Sequence, residues 1–127
     1  MGSVASGYRR DVSDRATFTN PVHPTPFADP FILRHDGWYY AYGTNEQADA
    51  SKAFEVLRSA DLVSWTSLGR CLPATEGSSR DHWAPEVALA DGRFHLYYSV
   101  GEEDRHHRIR VATADRPGVR SSIRAGT

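Results

Sequence analysis

Residues 30–42 read PFILRHDGWYYAY, and residues 85–97, which lie 55 positions further along, read PEVALADGRFHLY. Each copy places a short run with apolar residues after a proline, then Asp-Gly, then a run that contains aromatic residues. Asp-Gly between two runs of strand-forming residues predicts a β-hairpin with a tight two-residue turn. The chain is therefore expected to build the same hairpin twice.

A third strand follows each hairpin. Residues 57–61 (LRSAD) correspond to residues 111–115 (VATAD), which puts this strand one residue out of step with the rest of the repeat. A fourth strand is expected from Trp65 to Leu68 in the first copy. A repeat of this length with about four strands is typical of β-propeller blades. The sequence predicts an all-β fold, a β-propeller of which two blades are present; two ordinary meander hairpins with a shared turn sequence are the alternative.

The chain divides into four predicted regions. Residues 1–20 are polar, show no sustained period and are expected to form a flexible leader. Blade 1 is assigned to residues 21–73 and blade 2 to residues 74–117, whereas residues 118–127 show no β alternation and are expected to be irregular. Since propellers typically close with about four to eight blades, two blades are expected to be a fragment of a larger fold.

Composition excludes several classes of function. The 127 residues carry 15 basic and 16 acidic side chains, a net charge of −1, so there is no strongly charged surface for nucleic acid or an anionic membrane. No apolar run approaches the roughly 20 residues of a membrane span, and no secretory signal is apparent. The single cysteine, Cys71, excludes an intrachain disulfide framework and is expected to be buried and unreactive. These features predict a cytoplasmic protein without nucleic-acid or membrane partners.

One carboxylate, Asp29, stands directly before the first strand of the first repeat, in Phe27-Ala28-Asp29-Pro30. The following proline is expected to hold Asp29 in an extended conformation. In a propeller the innermost strand of each blade starts near the central axis, where ligands bind, so Asp29 is a candidate general base for water. An aspartate that merely caps a turn is the commoner outcome for this residue pair.

The equivalent place in the second repeat reads His82-Trp83-Ala84-Pro85-Glu86. It combines an imidazole, an indole and a carboxylate at one strand entrance. An indole face packs well on the apolar face of a sugar ring, while polar neighbours bind hydroxyl groups. His82, Trp83 and Glu86 are therefore candidate substrate-binding residues; a tryptophan packed between blades beside an exposed Glu86 is the alternative.

No metal or cofactor site is predicted. His106 and His107 lie near acidic residues 102–104, but neighbouring side chains in an extended segment point to opposite faces, which favours a solvated loop. No glycine-rich phosphate-binding loop occurs in the sequence.

Five segments in this order resemble glycoside hydrolase family 43. They are NPVHPTPFADPFILRHDGWYYAYGT, RSADLVSW, HWAPEV, DGRFHLYYSV and RVATADRPG, which together span about residues 20–118. The resemblance implies a five-bladed propeller of the arabinofuranosidase and xylosidase type, which hydrolyses arabinose- or xylose-containing glycosides with inversion. It implies that Asp29 is the general base and that Trp83 contacts the sugar, with a small carbohydrate or hemicellulose-derived oligosaccharide as the partner. A structural calcium ion is compatible with the full-length family fold.

The resemblance also implies that the second carboxylate and the general-acid glutamate of the family lie in the third and fourth blades. We therefore expect a truncated glycoside hydrolase that lacks its general acid, and Glu86 is not expected to replace it. The arginine-rich residues 118–127 suggest the hypothesis of an out-of-frame tail, which the genomic DNA would test. A non-catalytic carbohydrate-binding module and an inactive remnant remain the alternatives, and the pentose, the linkage and endo or exo action stay open.

Overall fold

The computed structural model describes residues 17–45, 52–73, 81–102, 105–118 and 124–125. Within these ranges the regular structure consists of strands only, which confirms the predicted all-β class. The strands are β1 (Ala28–His35), β2 (Trp38–Thr44), β3 (Lys52–Ser59), β4 (Thr66–Pro73), β5 (Asp81–Ala90), β6 (Arg93–Glu102), β7 (Arg105–Ala114) and β8 (Arg124–Ala125). No helix in the described ranges has the length and apolar character needed to cross a membrane.

These strands form two four-stranded sheets in which neighbours in the chain are neighbours in space. The order is β1-β2-β3-β4 in the first sheet and β5-β6-β7-β8 in the second, and every pairing is antiparallel. Two successive four-stranded meanders are two propeller blades, hereafter blade 1 (β1–β4) and blade 2 (β5–β8). The predicted pair of blades is confirmed.

The predicted region boundaries are only partly covered by the structure. Most of the predicted leader, residues 1–16, lies outside the described residues, and so does most of the predicted tail. Within that tail, the short strand β8 pairs with the β7 residues Ala112 and Thr113. The assignment of residues 21–73 and 74–117 to separate blades stays a prediction.

Both Asp-Gly pairs occupy tight hairpin turns, as predicted. Asp36 and Gly37 have φ values of 47° and 80°, and Asp91 and Gly92 have values of 50° and 72°. Positive φ at both central residues is the geometry of the type I′ turn, whose twist matches that of the flanking strands. The repeated sequence therefore fixes the same turn at the same end of each blade.

The strand register shows that the repeat has a single offset. Tyr42 pairs with Val56 in blade 1, and Tyr97 pairs with Val111 in blade 2, so β3 and β7 follow the same 55-residue spacing as the hairpins. The predicted one-residue step is therefore wrong. The wrong step arose because the sequence comparison aligned the aspartates that follow each strand, Asp61 and Asp115. Both aspartates lie beyond the paired residues of their strands, where the sheet register does not constrain the sequence.

The two blades pack against each other through apolar side chains. One buried cluster includes Tyr42, Phe54 and Val56 from blade 1 together with Leu96 and Tyr98 from blade 2. The rings of Phe54 and Tyr98 meet edge to face with centroids 5.6 Å apart, and each residue is 1% exposed. Edge-to-face contact is a favoured arrangement of aromatic rings, so this pair joins the blades as well as filling the core.

Cys71 is buried, as expected, and belongs to the same apolar cluster. Burial raises the pKa of its thiol to about 12, because a thiolate would lose its hydration there. The thiol is therefore held in its neutral, unreactive form.

Asp61 organises the turn that connects β3 to β4. Its Oδ1 accepts hydrogen bonds from the main-chain N–H groups of Ser64 (2.7 Å) and Val63 (2.9 Å) and from the Ser59 hydroxyl (2.9 Å). These donors favour the charged form, with the N–H of Ser64 contributing most, and they lower the pKa of Asp61 from 3.8 to about 2. The side chain therefore stabilises the turn only while it is ionised.

Asp61→Asn is expected to lower the urea midpoint of unfolding at neutral pH, because the amide is a weaker acceptor than the carboxylate. Since the folded-state pKa is below the unfolded value, the stabilisation is complete above about pH 4 and disappears as the pH falls toward about 2. The difference in midpoint between wild type and variant should shrink over that interval. Asp115→Asn, at the exposed aspartate that follows β7, is the control; a difference that stays constant between pH 5 and pH 2 would contradict the assignment.

Phe54→Ala is expected to lower the free energy of unfolding by about 3–5 kcal/mol, because it leaves a cavity between the blades. Ile109→Ala is the control, since Ile109 is 76% exposed and should change stability little. Urea unfolding measures both. A Phe54→Ala loss as small as that of Ile109→Ala would show that the blades do not share a core.

Candidate functional site

The innermost strand of each blade carries a β-bulge at its beginning. The pairing shifts between Ala28 and Phe31 in β1 and between Trp83 and Glu86 in β5. Asp29 lies inside the first bulge with φ of 47°, and Ala84 holds the same place in the second with φ of 51°. The expectation that Pro30 keeps Asp29 extended is therefore wrong. A bulge requires an unusual conformation at one residue, and aspartate tolerates the left-handed region better than most residues do.

Thr44 brings the two bulges together. It pairs with Ala28 across β1 and β2, and its Oγ1 accepts a hydrogen bond of 2.9 Å from the main-chain N–H of Ala84. The entrance of β1, with Asp29, and the entrance of β5, with Trp83, therefore lie at the same end of the two blades. We call this end of the two blades, where β1 and β5 begin, the entrance face.

Asp29 is the carboxylate that blade 1 presents at the entrance face. The residue is exposed, and within the described ranges its carboxylate accepts no hydrogen bond and forms no ion pair. In Asp61, by contrast, Oδ1 accepts hydrogen bonds from three donors. The oxygens of Asp29 remain available to a water molecule or a hydroxyl group, which is a requirement for a general base.

Trp83 is partly buried and stacks on His107. The ring centroids are 4.3 Å apart and the ring planes are inclined by 26°. His107 is placed by β7 next to Ser99, whose Oγ lies 2.7 Å from Nδ1 of the imidazole. The structure thus assembles Trp83, Ser99 and His107 from the three strands β5, β6 and β7.

Sequence reasoning missed His107, which was expected to lie in a solvated loop. It belongs to β7 instead, and its side chain crosses toward β5 over the strand between them. The sequence feature that could have indicated this contact is Gly101 in β6. A Cβ atom at this position would lie 2.6 Å from Nε2 of His107. A glycine within a strand marks a close approach, but the sequence does not say which side chain approaches.

His82 lies between the blades rather than at the surface. It is 4% exposed, its ring stacks on Tyr98 at 6.0 Å and meets Phe54 edge to face at 6.2 Å. A direct contact with a sugar stays a prediction for this residue, and its burial favours a packing role.

Glu86 is exposed and pairs with Tyr97, which is 44% exposed. Its neighbour Val87 is buried in the shared core. Because side chains alternate along a strand, Glu86 points to the face of blade 2 that is turned away from blade 1. Its predicted contact with substrate stays a prediction.

The described residues contain no group of three or more His, Cys, Asp or Glu side chains that could hold a metal ion. The calcium ion that the family resemblance allows therefore finds no ligand set in this part of the chain.

Comparison with known proteins identifies relatives over most of the chain. The sequence model of glycosyl hydrolases family 43 matches residues 18–120. A probable arabinan endo-1,5-alpha-L-arabinosidase C from Aspergillus niger is 34% identical over 93 residues, 68% of this chain and 28% of the relative. A probable arabinan endo-1,5-alpha-L-arabinosidase B from Aspergillus oryzae is 32% identical over 97 residues, 71% of this chain and 26% of the relative. The chain thus spans about a quarter of the length of these curated relatives.

Solved structures agree with the sequence relatives. A thermostable family-43 glycoside hydrolase superimposes with a TM-score of 0.71 at 32% identity, over 86% of this chain and 35% of its own. A family 43 enzyme from Xanthomonas citri, crystallised with xylotriose, gives a TM-score of 0.68 at 28% identity, over 84% of this chain and 34% of its own.

Thr44→Val should speed hydrogen exchange at the Ala84 amide, because the acceptor that joins the two bulges is removed. Thr44→Ser is the matched control, since it keeps the hydroxyl and should keep the protection. Because a hydrogen bond contributes about 0.5–1.5 kcal/mol, the expected acceleration is about 2- to 12-fold, read by NMR. Equal exchange rates in the two variants would show that this bond does not hold the entrances together.

Proposed function

The chain belongs to glycosyl hydrolase family 43, and from this premise we propose that its two blades supply the general base and a sugar-stacking surface of an inverting glycoside hydrolase. Asp29 carries the proposal. It is an exposed carboxylate in the bulge of the innermost strand, and among the described residues no donor occupies its oxygens. Ala84 at the matching place in blade 2 has no such group. The repeat therefore offers a carboxylate at one entrance and an indole beside the other.

In the proposed reaction Asp29 acts as the general base. Asp29 accepts a proton from a water molecule, the water oxygen bonds to the anomeric carbon, and the bond to the leaving-group oxygen breaks on the opposite side of the sugar. A general acid must then protonate the departing oxygen, and inverting enzymes hold the two carboxyl groups about 6.5–9.5 Å apart. By the family resemblance that acid belongs to a later blade, so these two blades carry only the base.

The proposed substrates are glycosides that contain arabinose or xylose. Support comes from the Aspergillus relatives, which are arabinan endo-arabinosidases by name, and from the Xanthomonas enzyme, which was crystallised with xylotriose. Trp83 lies at the entrance of β5, is partly exposed, and stacks on His107. Stacking on an indole suits the apolar face of a pentose ring, and a small oligosaccharide is accordingly the proposed partner.

A non-catalytic carbohydrate-binding role is the second candidate. The observation that favours it is the stack of Trp83 on His107, which is complete within blade 2 and needs no proton transfer. Binding of xylotriose without turnover would support this role, and the absence of both binding and turnover would support an inactive remnant.

Glycosyl fluorides test the base by itself, because fluoride leaves without a proton. We expect the chain to accelerate release of fluoride from xylosyl or arabinofuranosyl fluoride, measured with a fluoride electrode. Asp29→Asn should lower this acceleration by about 100-fold, at the low end of what general-base catalysis contributes. Glycosides with poorly acidic leaving groups should not be hydrolysed, since they need the acid.

Asp36→Asn is the matched control for this experiment. Asp36 is also exposed and has the same φ of 47°, but it lies in the hairpin turn at the other end of β1. The control variant should behave as wild type. Equal fluoride release by wild type and Asp29→Asn would refute the assignment of the base, and hydrolysis of an unactivated glycoside by the chain would refute the claim that the acid lies elsewhere.

A further inference from the structure

We infer that His107 is a positioning residue that holds the indole of Trp83 in the orientation a sugar ring stacks on. The inference rests on the proposed function, since it concerns the same sugar-binding surface. It assigns a role to His107, whose side chain meets those of Trp83 on β5 and Ser99 on β6.

The first support is the stack itself. An indole that points from a strand into solvent can rotate about its side-chain bonds, and ordering it on binding is unfavourable. With the His107 ring 4.3 Å away and inclined by only 26°, one face of Trp83 is already covered. The stack thereby restrains the indole before any ligand arrives.

The second support is that the His107 ring is itself fixed. Ser99 Oγ lies 2.7 Å from its Nδ1. Ser99 pairs with Trp83 across β5 and β6, so the hydroxyl that holds the imidazole is directly beside the strand position of the indole. The hydrogen bond therefore restrains the imidazole, and the stack restrains the indole against it.

The third support is Gly101, two residues beyond Ser99 on β6. A Cβ at this position would overlap the His107 ring, with 2.6 Å to Nε2. Glycine in the interior of a strand weakens the strand, so its presence is explained by the room it gives to the imidazole. On β6, Ser99 therefore holds the His107 ring by a hydrogen bond and Gly101 leaves room for it.

Blade 1 offers a comparison within the same chain. The positions that match Trp83 and Ser99 hold Ala28 and Thr44, and the Thr44 hydroxyl is engaged with the main chain of Ala84. The ring stack is thus a feature of blade 2 and not a requirement of the blade architecture. A purely structural need would be expected in both copies of the repeat.

The test is the affinity of the 127-residue chain for xylotriose, measured by NMR titration that follows the main-chain amide signals, which every variant retains. Trp83→Leu should weaken binding more than any other variant in the set. His107→Ala should weaken binding by about tenfold, the equivalent of a good aromatic contact, while the amide spectrum shows a retained fold. His107→Phe, which keeps a stacking ring, should restore most of the affinity, and Trp38→Leu, at the far end of blade 1, should leave it unchanged.

A double-mutant cycle separates positioning from general stability. In a Trp83→Leu background with xylotriose at concentrations that still give measurable weak binding, His107→Ala should have no further effect, because its action passes through the indole. In the free protein, the ring-current shift of the His107 CH protons should be lost in Trp83→Leu.

The outcomes are distinguishable. If the wild type does not bind xylotriose, both the proposed sugar surface and this inference fail. If the wild type binds and Trp83→Leu strongly weakens binding, but His107→Ala binds as well as wild type, the proposed function stands and the inference is overturned. Weakening by His107→Ala that is the same in the presence and absence of Trp83 also overturns it.

Discussion

The packing of blade 1 on blade 2 is the interaction on which the rest of the structure depends. Each meander has one apolar face that must be covered, and the Phe54–Tyr98 contact lies in the layer where the two faces meet. Burial of this layer fixes the position of one sheet relative to the other. The hydrogen bond from Ala84 to Thr44 then brings the entrances of β1 and β5 together. Without the shared layer, Asp29 and Trp83 would belong to two independent sheets.

Much of the fold could be predicted from local sequence. The Asp36-Gly37 and Asp91-Gly92 turns need positive φ at both positions, and few other residue pairs provide it so readily. The strand-forming runs on either side of each Asp-Gly turn then predict one hairpin per turn, and therefore two hairpins in the chain. The single 55-residue offset was harder to see, because the aspartates that follow β3 and β7 gave a misleading match. Register is set by pairing across the sheet, which a comparison along the chain does not contain.

The site was predictable only in part, for a similar reason. Asp29, directly before Pro30, and Trp83, two residues before Pro85, stand in recognisable motifs, so the sequence located them, although the left-handed conformation of Asp29 depends on a bulge. His107 was missed because its contacts cross from β7 to β5. The burial of His82 between Phe54 and Tyr98 was equally hidden, since it depends on the packing of one blade on the other.

A nuclear Overhauser spectrum of the 127-residue chain decides whether the two blades pack on each other, because it reports distances across the blade interface. We expect cross-peaks between the ring protons of Phe54 and Tyr98 and between the amide proton of Ala84 and the side chain of Thr44. Cross-peaks within each sheet but none between the two sheets would contradict the claim that two packed blades form a common entrance face.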